Sequence, residues 1–361
     1  MNRAAMNSTA AKLSPMIVVA GPTASGKSHL AIRLAERFGG EIISCDSVAV
    51  YREFELGTAK PSLEDRARIP HHLIDVAAPT DHFTAGDYSR LAREAAREIT
   101  SRGRLPILCG GTGLYLRAML DGLFEGPGRD ETLRERLRRV VRPNLLWRML
   151  RRVDPEAARR IHANDHSKLI RAIEVSVAAR RPITELQREG SEPLAGYQVL
   201  KLGLNPAREK LYERINLRCE QMFAAGLVEE TRQIVSRHGD NLFALRALGY
   251  RQAMEQLRGE CTLNEAVARA QQGHRNYAKR QWTWFRRDAD MCWLDGFGED
   301  VADEAEALVE KFLAASALLI PNGHRCRDGH DRCRAWNPHR QFRPGVRESN
   351  NYGEPQEEFR D

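Results

Sequence analysis

GPTASGKS, residues Gly21 to Ser28, has the spacing G-x-x-x-x-G-K-[ST]. It follows the apolar run Met16 to Ala20 and precedes the helical pattern Leu30, Leu34, Phe38, so the stretch reads as strand, glycine loop, helix. The glycines let the backbone curl until successive N–H groups face one anion, and the start of the helix adds its dipole. Lys27 is placed to reach terminal phosphates, and the Ser28 hydroxyl to sit on Mg²⁺. Gly21, Pro22, Thr23, Ala24, Ser25, Gly26, Lys27 and Ser28 together form the candidate phosphate site. The loop does not say which phosphate compound it holds.

A glycine loop of this kind belongs to a parallel α/β sheet, and the chain on either side supplies one. Glu41 to Cys45 reads as a second strand ending in Asp46-Ser47. Ligands of open parallel sheets bind beyond the carboxyl ends of the strands, which puts Asp46 beside the loop. A carboxylate there can hold Mg²⁺ through water or take a proton from a nucleophile; the alternative is that Asp46 caps the next element. His71 to Val76 reads as a third strand, and its two histidines as structural, because no Cys or carboxylate stands at metal spacing nearby. Gly86 to Arg102 is a helical pattern leading to Leu105–Cys109, a buried strand that closes on Gly110-Gly111-Thr112-Gly113. That second glycine turn points at the same crevice, with Thr112 offering a hydroxyl, although a tight turn explains the glycines as well. Tyr51 to Pro61, YREFELGTAKP, has no reading of its own.

From about Gly128 to Ala195 the chain turns charged, Arg-rich and helical in pattern, and no strand is predicted until Tyr197–Leu204. The economical arrangement is an α/β core over 16–127 and 196–315, interrupted by a small helical domain over 128–195. Within the insertion Asn164-Asp165 is a helix start, followed by Lys168 and Arg171. Later, Pro206 to Ala225 is a long helix, and Leu245 to Arg251 is a joint between helices. In Leu263 to Arg287 the residues Arg275, Lys279, Trp282 and Arg286 recur on one helical face. A basic stripe carrying an aromatic suits phosphates with a base to stack; Trp284, Phe285 and Tyr277 are assigned to the core.

The 361 residues carry a formal net charge of +7, which makes a polyanion such as nucleic acid a reasonable partner. Seven scattered cysteines without a C-x-x-C pair predict reduced thiols in a cytoplasmic chain. Residues 1–15 read as a disordered leader, and Met16 to Ala20 is too short for a signal peptide or membrane span. Residues 316–361 read as a disordered tail. Its His324, Cys326, His330, Cys333 and His339 could bind zinc in principle, but Cys326 and Cys333 are too far apart for a cysteine knuckle.

Taken jointly, GPTASGKS, Asp46-Ser47, LGTAKP at Leu56–Pro61, HHLID at His71–Asp75, GGTGLY at Gly110–Tyr115, DPEAARRIHANDHSKLIRAIEV at Asp154–Val175, GYRQ at Gly249–Gln252 and YAKRQWTWFR at Tyr277–Arg286 resemble the tRNA dimethylallyltransferases. The resemblance covers most of 16–295. It implies a P-loop NTPase-like parallel sheet core with an inserted helical domain that grips tRNA. It also implies transfer of a dimethylallyl group from dimethylallyl diphosphate to N6 of adenosine 37 in the anticodon stem-loop of tRNAs reading codons that begin with U. By the same resemblance Asp46 engages the adenine amino group, Thr23, Ser25, Lys27 and Ser28 bind diphosphate, and Arg218 faces a phosphate, with Thr23 and Arg218 joining Asp46 as catalytic residues. Contacts with tRNA are implied for Asp46, Ser47, Val48, Ala49, Thr112, Arg134, Ser167, Lys168, Leu169, Ile170, Arg171, Arg246, Gly249, Tyr250, Arg251, Lys279, Arg280, Gln281, Trp282, Trp284 and Arg286. Mg²⁺ is the implied cofactor, on Ser28 and, through water, Asp46; a monomer that meets no membrane is expected. The sequence departs from the family pattern at Lys168, usually Arg, and at His274, usually Thr.

The chemistry agrees. An exocyclic adenine amine is a poor nucleophile and gains from a carboxylate that accepts its proton, while a departing diphosphate gains from cations. Three other classes share parts of the pattern. A small-molecule kinase would use ATP but leave the basic helix unexplained, an RNA-binding module would leave Asp46 without purpose, and a prenyltransferase for free adenine nucleotides would not need the basic insertion.

Overall fold

The computed structural model describes residues 13–318 apart from 59, 141 and 143. Its first strand, β1, spans Ser14–Ala20 and so begins inside the stretch read as a leader. It is followed by β2 (Gly40–Cys45), β3 (His71–His72), β4 (Leu105–Gly110), β5 (Tyr197–Leu204) and β6 (Met291–Leu294). All pairings are parallel and the order across the sheet is β3-β2-β4-β1-β5-β6. The core is therefore α/β with a doubly covered sheet, as the sequence predicts. The helices are α1 (Lys27–Phe38), α2 (Leu63–Arg68), α3 (Ala85–Ser101), α4 (Gly113–Leu120), α5 (Glu131–Arg138), α6 (Leu145–Val153) and α7 (Pro155–Arg160). They continue with α8 (His166–Ala179), α9 (Ile183–Glu189), α10 (Arg208–Ala224), α11 (Leu227–His238), α12 (Tyr250–Leu257), α13 (Leu263–Phe285) and α14 (Ala302–Leu318).

Because β1 is buried on both faces, it reads as a continuous apolar run instead of an alternation. Met16, Val18 and Ala20 enter one core with α3, α4 and α10 to α13, whereas Ile17 and Val19 enter the other with α1 and α14. From β1 the chain crosses past β4 to β2, and from β4 it crosses past β1 to β5. The loops after these neighbouring strands thus diverge and open a crevice at their carboxyl ends. Gly21–Ser28 and Gly110–Gly113 are those two loops.

Two strand expectations change. His71–Val76 keeps only two strand residues, because Leu73 (φ 64°) and Asp75 (φ 60°) take left-handed backbone that no strand can continue. Its histidines are structural: His72 Nε2 meets Glu41 Oε2 at 2.7 Å, and His71 Nδ1 meets the Ile69 carbonyl at 2.7 Å. The sheet also has a further edge strand, β6, for which the sequence offers no reading; four residues at an edge are too few for periodicity to reveal.

The inserted helices α5 to α9 have a hydrophobic core of their own, built on Leu137, Leu150, Leu169, Ile173 and Leu186. Two buried carboxylates tie it together. Asp154, 1% exposed, caps α7 through Ala157 N (2.8 Å) and accepts from Thr184 N at the start of α9 (2.9 Å). Glu174, fully buried, accepts from Arg134 Nε and Nη2 (both 2.8 Å), Arg171 Nη1 (2.7 Å) and Asp130 N (2.8 Å). Burial alone would raise the Glu174 carboxyl; the two arginines outweigh it and hold it at about 2.

Among the described residues no helix is long and apolar enough to cross a membrane. The five described cysteines, Cys45, Cys109, Cys219, Cys261 and Cys292, are free thiols. Helix α14 runs three residues into the stretch read as a tail; the histidines and cysteines of that tail lie outside the described residues.

Candidate active site

The glycine loop closes in the way its sequence requires. Gly26 (φ 85°) is left-handed at the start of α1, a conformation that L side chains avoid, and Ala24 (φ 63°) shares it. The loop is braced from behind, since Gly298 N donates to the Ser25 carbonyl (2.9 Å). Beyond it lies a cavity of about 510 Å³ lined by Thr23, Ser28, Asp46, Arg218, Tyr277 and Gln281, among others. Lys27 lines it too, with Nζ donating to the Pro22 carbonyl (2.6 Å). Ser25 also lines the cavity; it is fully buried and its Oγ has no partner.

Burial pushes the Lys27 ammonium down to about 8, and neighbouring Arg218 adds to the effect against the pull of Cys109 and Asp46. Burial likewise lowers the Arg218 guanidinium. Its Nη1 donates to Thr23 Oγ1 (3.3 Å), while its buried Nε has no partner. Two desolvated cations lining one cleft, with donors to spare, are chemically suited to an anion.

Asp46, just after β2, lines the same cavity and is close enough to favour the charged forms of both Lys27 and Arg218. Its Oδ1 accepts from Val48 N (2.8 Å) and Ala49 N (3.1 Å), so the capping reading is true of one oxygen, and the carboxylate still lines the cleft. Thr112 fixes this position: its N–H donates to the Cys45 carbonyl and its Oγ1 accepts from Ser47 N, both at 3.2 Å. Burial, with Asp46 nearby, pushes the Tyr277 phenol up to about 12, so it stays a protonated donor at this wall. Among the described residues no group of three His, Cys, Asp or Glu could hold a metal. Ser28 and Asp46 nevertheless bring hard oxygen donors to one cavity, which suits Mg²⁺ completed by water and phosphate oxygens.

Helix α13 forms the roof, and its two faces are not the ones the periodicity suggests. Trp282 is 7% exposed and packs in the core, whereas Trp284 is 38% exposed and lies over Gly113, where a Cβ would strike its ring. Tyr277 faces the cleft. Gln281, 5% exposed, is a bridge inside the site: Oε1 accepts from Thr23 N (2.8 Å) and Nε2 donates to the Gly111 carbonyl (2.9 Å). Lys279, Arg280 and Arg286 are exposed on the outer face, as are Arg246 and Arg251 elsewhere.

Leu169 and Ile170, expected to touch tRNA, are internal and belong to the core of the insertion. Arg134 and Arg171 both pair with Glu174, although the Arg171 side chain stays 38% exposed. Ser167 and Lys168 are exposed at the start of α8, where Lys168 pairs with Asp165. Tyr250 is fully buried with Gly249; its hydroxyl donates to Glu230 Oε1 (2.6 Å) and accepts from Gly57 N (3.1 Å). This anchors the loop that sequence alone leaves unread. Lys60, whose side chain is 2% exposed, holds the same loop to the Tyr51 carbonyl (2.8 Å) and to Asp75 (2.5 Å). Reasoning from sequence also misses Glu299, which pairs with Arg214 (2.6 Å) at the rim and carries no motif to announce it.

Residues 49–288 match the family model of the IPP transferases. The chain is 58% identical over 296 residues to the tRNA dimethylallyltransferase of Koribacter versatilis, covering 81% of this chain and 96% of that protein. Among solved structures it is similar to the tRNA isopentenylpyrophosphate transferase of Bacillus halodurans, with 36% identity, a TM-score of 0.64, and coverage of 84% of this chain and 98% of that one. A eukaryotic dimethylallyltransferase acting on tRNA superimposes with a TM-score of 0.73 at 25% identity, covering 84% of this chain and 80% of its own.

Proposed function

The chain belongs to the IPP transferase family, and from that premise we propose that it transfers a dimethylallyl group from dimethylallyl diphosphate to N6 of an adenosine in tRNA. The products are N6-(dimethylallyl)adenosine and diphosphate. The observation that carries this reading is the placement of Asp46 in the same cavity as the Lys27–Arg218 cation pair. One side of the site is chemically suited to a leaving diphosphate and the other to a proton.

The backbone of Gly21–Ser28, Lys27 and Arg218 receive the diphosphate and stabilise the charge that builds on its oxygens as the C–O bond breaks. Thr23 holds Arg218 in place. Asp46 accepts the proton that the adenine amine loses as the C–N bond forms, help of about 10²–10⁴-fold in typical cases. Ser28, with Asp46 through water, would hold Mg²⁺, which when bound neutralises diphosphate charge. The amino group reaches Asp46 only if its base leaves the anticodon stack, and the exposed Trp284, Lys279 and Arg286 of α13 offer a surface for the opened loop. The acceptor is taken to be adenosine 37 of tRNAs reading codons that begin with U. The inserted domain, 128–195, is taken to grip the stem through its exposed basic residues. A monomer acting in the cytoplasm completes the proposal.

Transfer of label from radiolabelled dimethylallyl diphosphate to unmodified tRNA, with AMP in a parallel tube and with or without Mg²⁺, tests it. Label on tRNA alone supports the reading. Label on AMP moves the chain to the free-nucleotide class, and label on neither overturns prenyl transfer.

A further inference from the structure

We propose that Gln281 is a positioning residue: its side-chain amide clamps the phosphate loop to the Gly111 turn and so sets the distance between the donor site and Asp46. The inference rests on the reading of this cavity as the diphosphate site and names a part of it that the tRNA-contact assignment hides. Gln281 is separated by 258 residues from Thr23 and by 170 from Gly111, yet it touches both. Both ends of its amide are used, one accepting from Thr23 N (2.8 Å) and the other donating to the Gly111 carbonyl (2.9 Å). The amide is thus engaged at both its oxygen and its nitrogen, and the side chain is buried.

Each bond leads to one reacting partner. Thr23 also receives Arg218, which faces the leaving group. Gly111 precedes Thr112, whose backbone and hydroxyl tie Cys45 and Ser47 on either side of Asp46. The chain donor loop, Gln281, glycine turn, Asp46 is therefore continuous. The residue type is specified as well: the clamp needs one donor and one acceptor at the reach of three side-chain carbons, which a primary amide supplies and an ionised carboxylate does not. Gly111 completes the fit, because a Cβ there would fall on Gln281 Nε2 and lie 3.3 Å from the Gly21 carbonyl. Displacing reacting groups by about 1 Å lowers a rate by about 10²-fold.

Five proteins test this: the parent, Gln281→Ala, Gln281→Glu, Gly111→Ala and the double variant that combines Gln281→Ala with Gly111→Ala. Inorganic diphosphate affinity is read by calorimetry, and transfer by the kcat/KM for dimethylallyl diphosphate. Gln281→Ala should lower that kcat/KM by roughly 10–100-fold and weaken diphosphate binding, with the Kd for tRNA unchanged. Gly111→Ala should do the same by expelling the amide, and the double variant should be no worse than either single one. Gln281→Glu is the decisive variant, since it keeps the shape. Ionised, it opposes the Gly111 carbonyl; protonated, it can donate to it again. Its deficit relative to the parent should therefore shrink as the pH falls through the titration of the introduced carboxyl, ordinarily about 4.3, and is followed down to about pH 4, while that of Gln281→Ala stays constant. Parent-like donor kinetics in Gln281→Ala, a Gln281→Glu deficit that ignores pH, or a loss confined to tRNA affinity would each overturn the clamp. If Gln281→Ala does not fold, the pH dependence of Gln281→Glu decides alone. A parent that binds diphosphate but never prenylates tRNA, with diphosphate affinity still falling in Gln281→Ala, would overturn the proposed function and leave the clamp standing.

Discussion

Lys27→Met should yield a protein that is more stable than its parent and unable to hold diphosphate. The ammonium sits in the cleft with its pKa pushed by burial from 10.5 to about 8, a gap of about 2.5 units. At about 1.4 kcal/mol per unit, keeping that charge in the desolvated cleft costs the fold about 3 kcal/mol at neutral pH. Methionine removes the charge at similar length but gives up the bond from Nζ to the Pro22 carbonyl, worth about 1 kcal/mol. The net gain is about 2 kcal/mol, which for a chain of this size raises Tm by about 2–4 °C. The pH dependence is distinctive because this base is depressed. Between about 8 and 10.5 the unfolded chain binds the proton that the folded chain has lost, so the stability of the parent rises with pH across that window. The advantage of the variant is full below pH 8 and vanishes towards pH 10.5. Thermal melts of both proteins at pH 7 and pH 9.5, with a diphosphate titration alongside, measure it. A variant no more stable at pH 7, or an advantage that does not shrink at pH 9.5, would show that Lys27 is solvated and that the cleft is not built around an unpaid charge.

Asp46→Asn keeps the oxygen that caps Val48 and Ala49, so diphosphate and tRNA binding should persist while the single-turnover transfer rate falls by about 10²–10⁴-fold; an unchanged rate removes Asp46 from proton transfer. Replacing Lys279 and Arg286 together by alanine should reduce the slope of log affinity for tRNA against log salt by roughly 1.5–2, and an unaltered slope would mean that the outer face of α13 meets no phosphates. Arg134→Ala should leave Glu174 under-compensated and destabilise the fold by roughly 3 kcal/mol, with tRNA affinity of the folded protein retained. Glu174, held at about 2, stabilises the parent above the ordinary 4.5 and loses that contribution as the pH falls towards 2, so the variant should differ least in acid. Weaker tRNA binding without lower stability would return Arg134 to the RNA surface.

The sheet was legible because its central strands announce themselves. β1, β2 and β4 are short apolar runs, each followed by a loop whose composition has a purpose, whereas their order across the sheet is known only from the structure. β6 was not legible, since Met291–Leu294 has no room for a period and is recognised only by the neighbour it pairs with. Within the site, Lys27 and Asp46 could be read from local context. Motif membership could not separate residues that touch the ligand from residues that hold those residues. Tyr250 and Gln281 stand in signature stretches and are buried, Arg134 is half-buried outside them, and only their partners, Glu230, Thr23 and Glu174, reveal what each one does.

Helix α13 shows why the two kinds of residue are interleaved. Its outward positions Lys279, Arg280 and Arg286 are exposed, and its inward positions Tyr277 and Gln281 enter the cavity, so one rigid rod carries both surfaces. A rod of this kind can seat closely only on backbone without side chains. Gly111 meets Gln281, and Gly113 meets the ring of Trp284. The glycine turn after β4, ambiguous in sequence between a ligand crevice and a simple bend, is the imprint of that helix. Its distance from the phosphate loop is then set by a side chain delivered from the far end of the chain. On the clamp proposed above, α13 is thereby joined through one amide to the backbone of the phosphate loop.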